Sequence, residues 1–249
     1  MRLQHQVALI TGAAKGIGRA IALKLASEGC HVVINYYNSS DLAESLCEEI
    51  RRQGVEAIAV QANVSDPTSV KEMMQLVHEK FGKLDILISN AASGVLKPTM
   101  QMSAKHFRWC TETNALSLVY LLQQAESLMA PGSRVVALTS MGSQRVIPDY
   151  GFIGASKAAL ESLVRSLSVE LAPKGIILNT VCAGAVDTDA LAHFPERERL
   201  LRQSEERSLA GRNVTPDDVA NVVALLCFQE ASMIRGQTIV VDAGYSIIG

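Results

Sequence analysis

The sequence predicts an α/β protein in which one doubly wound, predominantly parallel sheet carries helices on both faces. Seven short runs rich in Val, Ile and Leu recur along the 249 residues: QVALIT, HVVINY, EAIAVQA, LDILIS, SRVVALT, GIILNTV and QTIVVD. Longer stretches with helix-compatible spacing separate most of them, which makes a repeated βα pattern. The runs are nearly continuous in aliphatic residues instead of strictly alternating with polar ones, so both faces of the sheet are expected to be covered.

Capping chemistry marks the helices in order. The turn TGAAKGIG leads from the first run into RAIALKLASEG. Asp41 followed by Glu44 predicts a capping box for the second helix, Asp66-Pro67 pairs a cap with a first-turn proline for the third, and Thr215-Pro216-Asp217-Asp218 combines both signals near the C-terminus. Residues 103–129 are long enough for one bent helix or two successive ones, and residues 150–171 predict another, ended near Pro173 and Gly175. No internal repeat or long linker divides the chain, so residues 1–249 are expected to be a single domain. Within it, residues 184–212 carry HFPERERLLRQSEERS, a helical pattern interrupted by Pro195. This reads as a polar excursion over the sheet edge, either a solvated helix pair or a substrate-binding lid.

Composition narrows the function. An apolar fraction of 48% fills a substantial core, which excludes disorder and short disulfide scaffolds. Lys plus Arg number 23 against 25 Asp plus Glu, and the resulting charge of -2 argues against a nucleic-acid surface. Cys30, Cys47, Cys110, Cys182 and Cys227 show no C-x-x-C spacing, so free thiols in a reducing compartment are expected. No window approaches the ~20 apolar residues that a membrane span needs, and a cytoplasmic chain is the expectation. His5, His31, His78, His106 and His193 have no recurring partner spacing, so no metal site is predicted.

The glycine turn predicts a nucleotide site. Gly12, Gly16 and Gly18 allow a tight turn, close approach of backbone to phosphate and tight packing of helix on strand. The N–H groups opening the following helix would face a pyrophosphate. Lys15 precedes the last two glycines, which is not the order of a Walker A loop, and a nucleotide hydrolase is disfavoured. After the second run come Asn35, Tyr36, Tyr37, Asn38, Ser39 and Ser40, with no acid to hold a ribose 2′-hydroxyl, which favours NADPH. Lys15 would attract a 2′-phosphate, and Asn38 with its neighbouring serines would donate to it. Asn63-Val64 ends the third run, where an amide could meet adenine, and Asn90-Ala91-Ala92 ends the fourth, where small side chains allow close approach.

The segment Ser140-Met141-Gly142-Ser143-Gln144-Arg145-Val146-Ile147-Pro148-Asp149-Tyr150 leads into GFIGASKAALESLVRSLSVEL. Together with the glycine turn, it resembles the short-chain dehydrogenase/reductase family over nearly the entire chain. Thr11 to Gly18 matches the nucleotide signature, Asn90-Ala91-Ala92 the usual N-A-G, Asn114 the helix asparagine, and Ala183-Gly184 the usual P-G before Thr188. The resemblance implies a Rossmann-type domain with Ile17, Val186, Thr188 and Lys157 also at the cofactor. It further implies a homotetramer formed through residues 103–129 and 150–171, unless the apolar positions of these helices belong wholly to one subunit's core.

The departure lies at the tyrosine. Most carbonyl-reducing members place Tyr four residues before Lys, but Ile153 stands there and cannot donate a proton. Tyr150 makes Tyr-x6-Lys with Lys157, a spacing that resembles enoyl-(acyl-carrier-protein) reductases. NAASGVLKP, AGAVDTDALAHFP and MIRGQTIVVD resemble the NADPH-dependent enoyl reductase III branch. Seven helical residues make nearly two turns and rise ~10.5 Å, so Tyr150 and Lys157 share a face. The resemblance implies reduction of trans-2-enoyl thioesters of acyl carrier protein or coenzyme A. Tyr150 would donate to the developing enolate oxygen, and Lys157 would hold the nicotinamide ribose. Ser140 would either bond the thioester carbonyl or orient the pocket. Asn114 would support Lys157 through backbone or water contacts, or serve an interior helix bond. A 3-oxoacyl or other carbonyl reductase is the nearest alternative, and a non-catalytic nucleotide-binding subunit the other. No nucleic-acid or membrane partner is expected.

Overall fold

The computed structural model describes residues 1–248 except 193, 195 and 196, with only the backbone of Ala190 and Ala192. Seven strands form where the aliphatic runs predict them: β1 (Val7–Ile10), β2 (His31–Tyr36), β3 (Ala57–Gln61), β4 (Ile86–Ser89), β5 (Arg134–Ser140), β6 (Ile177–Ala183) and β7 (Thr238–Val241). They make one sheet in the order β3-β2-β1-β4-β5-β6-β7, parallel throughout. β1 is wholly buried, and its side chains divide by parity: Ala8 and Ile10 enter one core, Val7 and Leu9 the other. That division is why the runs lack polar alternation. In register, Leu9 lies between Val33 of β2 and Leu87 of β4. Strand order reverses between β1 and β4, which opens a crevice at the carboxyl ends of these strands.

The helices are α1 (Gly16–Ser27), α2 (Ser40–Arg51), α3 (Pro67–Phe81), α4 (Ala104–Thr111), α5 (Ser117–Ala125), α6 (Gly151–Leu171), α7 (Asp189–Ala192), α8 (Arg197–Glu206) and α9 (Pro216–Cys227). Buried side chains of α1, α2 and α9 fill one core, and those of α3, α5 and α6 the other. Asp66 caps α3 by accepting from the N–H groups of Thr68 and Ser69, and Thr215 with Asp218 forms a reciprocal box at α9. The expected box at Asp41 does not form. α2 begins at Ser40 with Ser39 at its cap position, so the Asp41 carboxylate already lies inside the first turn and serves the helix dipole.

Between the cap positions 103 and 129, the chain is continuously helical. A π-helical turn over Glu112–Leu116 joins α4 to α5, and a 3-10 turn follows at Glu126–Leu128. The excursion after β6 is tied to the body by a parallel bridge between Val186 and Val214, then carries α7 and α8. Pro195, expected to interrupt its helical pattern, lies outside the described residues. Among the described residues, no helix is long and apolar enough to cross a membrane.

Candidate active site

A cleft of about 760 Å³ opens at the crevice. Gly12, Lys15, Gly16, Ile17, Gly18, Asn38, Asn63, Val64, Asn90, Ala91 and Thr188 line it together with Ser140, Tyr150 and Lys157. Asn114 and Val186 are buried behind its wall.

Gly12 and Gly16 adopt φ of 61° and 57°, the left-handed region that glycine occupies without strain. Gly18 is required for packing, because a methyl there would meet Asn90 Nδ2 and the Gly12 carbonyl at 2.6 Å. The turn is held from behind by polar side chains. Asn90 Nδ2 donates to the carbonyls of Thr11 and Gly12 at 2.9 and 3.1 Å, and Thr11 Oγ1 accepts from the N–H groups of Asn90 and Ala91. Asn35 accepts from Gly12 N at 3.3 Å while its amide donates to Val60 O and Ala62 O. Asn35 is buried, and sequence reasoning passed over its bracing role because an Asn ending a strand run reads as a turn residue. α1 has no side-chain cap and no acid in its first turn. Its unpaired N–H donors therefore suit an anionic pyrophosphate, and the donor set fits a dinucleotide.

At the other end of the glycine turn, Tyr37, Asn38 and Ser39 line the cleft, with no carboxylate among them. Lys15 is exposed and pairs with Asp189 of α7 at 3.3 Å, so its charge is shared with the excursion. Asn63 Oδ1 accepts from the N–H and hydroxyl of Ser65, an arrangement that fixes the amide at the cleft wall.

Tyr150 stands just outside α6, at its N-cap, with φ -106° and ψ 7°. Its ring sits against Gly142, where an added methyl would lie 2.5 and 2.6 Å from Cδ1 and Cε1. On another side is Phe194 of the excursion, ring centroid to centroid 5.8 Å. Burial raises the phenol pKa, and hydrogen bonding from Ser140 acts in the opposite direction. Lys157 is buried, and its Nζ donates to Leu138 O of β5 at 2.7 Å. Desolvation pulls its pKa down to about 8, against the opposing influence of Cys182 and Glu161.

Ile153 faces elsewhere. It is buried, and its Cδ1 occupies the space beside Gly94, 2.6 Å from where a methyl on that glycine would lie. Asn114 sits in the π-helical turn, a feature frequent at functional sites. Its Oδ1 accepts from Ser93 N at 2.8 Å, and its Nδ2 donates to Ser93 O and Ser156 Oγ, both at 2.9 Å. Ser156 is the residue before Lys157, whose own bond goes to Leu138 O. Phe194 was not legible as a site residue, since only the tertiary fold brings the excursion onto Tyr150.

A cleft lined by a glycine turn, a serine, a phenol and a buried lysine suits a nicotinamide-type oxidoreductase. A family model described as enoyl-(acyl carrier protein) reductase matches residues 12–246. The 1-cyclohexenylcarbonyl-CoA reductase of Streptomyces collinus is 40% identical over 247 residues, covering 98% of this chain and 88% of that protein. A 3-oxoacyl-(acyl-carrier-protein) reductase of Staphylococcus epidermidis is 36% identical, covering 96% and 98% respectively. The crystal structure of a short chain dehydrogenase from Burkholderia cenocepacia, in complex with NADP, superposes with a TM-score of 0.92 at 32% identity, over 99% of this chain and 100% of that one. The chain belongs to the short-chain dehydrogenase/reductase family and is an oxidoreductase.

Proposed function

We propose that the protein reduces the carbon–carbon double bond of trans-2-enoyl thioesters, carried on acyl carrier protein or coenzyme A, with NADPH, in fatty-acid or related polyketide biosynthesis. The observation that carries this reading is the displacement of the phenol. Tyr150 lines the cleft with Ser140 and Lys157, while Ile153 fills the place of the usual tyrosine and is packed into Gly94. In carbonyl reduction, the oxygen that gains charge is bonded to the carbon that accepts hydride. In enoyl reduction, that oxygen lies two carbons further along the conjugated chain. A donor set one helical turn further from the lysine suits the second geometry.

The α1 N-terminus and the glycine turn would hold the pyrophosphate, Asn63 and Val64 the adenine side, and Lys157 the nicotinamide ribose. Lys15, Asn38 and Ser39, with no acid at the end of β2, favour the 2′-phosphate form, which would compete with Asp189 for Lys15. When bound, NADPH supplies the hydride that adds to the substrate β-carbon. Tyr150 donates a hydrogen bond to the thioester oxygen as the π electrons move onto it, and the Lys157 ammonium stabilises the negative charge shared along that bond. Ser140 orients the phenol, and a proton delivered to the α-carbon from Tyr150 or ordered water completes the reduction. Phe194, packed on Tyr150, favours the lid reading of residues 184–212 and would exclude water from the enolate.

The name of the Streptomyces relative denotes a thioester conjugated to a ring double bond, which agrees with this chemistry. The Staphylococcus relative supports the 3-oxoacyl alternative. The resemblance of residues 103–129 and 150–171 to the family's subunit surfaces supports the homotetramer, and five buried free thiols suit the cytoplasm. The test is purified protein with NADPH and crotonyl or acetoacetyl thioesters of one carrier, with product identification. Saturated butyryl thioester is expected; turnover of acetoacetyl thioester alone overturns the assignment.

A further inference from the structure

Glu161 is a buried carboxylate, 6% exposed, which the mechanism above does not use. It lies on α6 one turn after Lys157. Its Oε1 accepts from Thr139 Oγ1 at 2.8 Å and from Ser143 Oγ at 2.6 Å, and Gln144 Nε2 reaches Oε2 at 3.5 Å. Thr139 immediately precedes Ser140, and Ser143 closes the 3-10 turn that follows it. One side chain thus fixes the chain on both sides of Ser140, including the turn that contains Gly142, the seat of the Tyr150 ring. A buried carboxylate is costly unless its lone pairs are satisfied, and here the donors all come from the reacting end of the cleft.

We propose that Glu161 is a positioning residue, which clamps the Ser140–Gln144 turn to α6 and supplies the negative charge that keeps Lys157 an ammonium. The electrostatic half rests on geometry: the two side chains stand at i and i+4 on α6 and both are buried, where an opposite charge favours the charged form. The titratable neighbours do not compete for this role. Cys182 on β6 faces both Lys157 and Glu161, but burial holds its thiol at about 12, so it is neutral where Lys157 titrates. Asp242 at the end of β7 faces Cys182 and is occupied by the N–H groups of Gly244 and Ser246. Tyr150 and, beyond it, Cys110 of α4 have raised pKa values and remain uncharged.

The inference rests on the site reading but not on the choice of substrate, and its test separates the two. The dissociation constant of NADPH is measured by fluorescence from pH 7 to 9.5, without substrate, for the wild type, Glu161→Gln and Ser143→Ala. kcat/KM is measured over the same range with whichever thioester the wild type turns over. The wild type should weaken its NADPH binding as pH rises through about 8, where Lys157 loses its proton. In Glu161→Gln this alkaline limb should move down by at least about 1 pH unit, so that near pH 8 the ammonium fraction falls roughly fivefold. Ser143→Ala keeps the charge and should lower kcat/KM while leaving the limb in place. Glu161→Asp, which keeps the charge and shortens the clamp, should behave as Ser143→Ala does, and serves if Glu161→Gln does not fold. A Glu161→Gln protein that binds NADPH with an unmoved limb, or a wild type without a limb, overturns the proposal. Loss of enoyl turnover with the limb shift intact would fault only the substrate assignment.

Discussion

Gly142→Ala isolates the position of the phenol from its chemistry. The added methyl would stand 2.5 and 2.6 Å from Cδ1 and Cε1 of Tyr150. Ordinary carbon contacts begin near 3.5 Å, so the ring or the turn must retreat by about 1 Å. The ring cannot simply swing toward the excursion, because Phe194 lies 5.8 Å from it on that side. Nor can the turn yield freely, because Ser140 accepts from Gly142 N and Glu161 holds Ser143. A displacement of that size in a reacting group costs on the order of 10²-fold in rate. Gly142 does not line the cleft, so NADPH affinity should be unchanged. The assay is steady-state reduction of crotonyl thioester beside fluorescence titration of NADPH, with circular dichroism to confirm folding. Tyr150→Phe provides the scale, since loss of one oxyanion donor costs roughly 10²–10³-fold, and in the Phe background Gly142→Ala should add little. A folded Gly142→Ala protein with wild-type kcat/KM would refute the claim that this ring's placement sets the rate.

Ile153→Tyr restores the usual spacing to Lys157 but forces a larger ring into the space beside Gly94 and Cys110; it should destabilise the fold by about 1–3 kcal/mol in urea melts and gain no acetoacetyl reduction. Strong acetoacetyl turnover in that variant would show that the position, and not the environment, selects the reaction. Asn35→Leu strips Gly12 N, Val60 O and Ala62 O of a buried partner, and should cost about 1–3 kcal/mol and weaken NADPH binding. An unchanged dissociation constant would remove Asn35 from the account. Alkaline pH should destabilise the protein through its thiols. Burial holds Cys182 and Cys227 at about 12 and Cys30 higher, whereas unfolded thiols ionise near 8.5, so the native state binds more protons and stability falls as pH rises between roughly 8.5 and 12. Lys157 acts with opposite sign, its depressed pKa adding stability as pH rises from about 8 toward 10.5, but one amine is outweighed by three thiols. Cys182→Ala should flatten the decline by about 2 kcal/mol at pH 10 in urea titrations, and an unaltered slope would contradict this.

The sheet was legible because its physics is local and redundant. The inner strands β1, β4, β5 and β6 are buried on both faces and show as aliphatic runs, the half-exposed edge strand β7 keeps the same Val and Ile run, and Asp66 and Thr215 announce their helices through short-range hydrogen bonds. Asp41 misled because the same residues that make a cap also suit a first turn, and only the backbone decides between them. The glycines, Tyr150 and Lys157 were legible by order along the chain. Their supports were not. Asn35, Phe194 and Glu161 act across 23, 44 and 18 residues, on Gly12, Tyr150 and Ser143 respectively, and nothing in their neighbours distinguishes Glu161 from a solvated helix acid. Asn114 was identified, but its partners Ser93 and Ser156 follow from a π-helical turn that no residue pattern marks.

The central claim is that the phenol of Tyr150, and nothing at position 153, meets the substrate oxygen. A crystal structure of the protein with NADP and a trans-2-enoyl thioester analogue tests it directly. The phenol oxygen is expected within about 3 Å of the thioester carbonyl, with Lys157 on the nicotinamide ribose and Ile153 still seated at Gly94. A thioester oxygen held elsewhere, with the phenol turned toward Phe194 and away from both ligands, would contradict it.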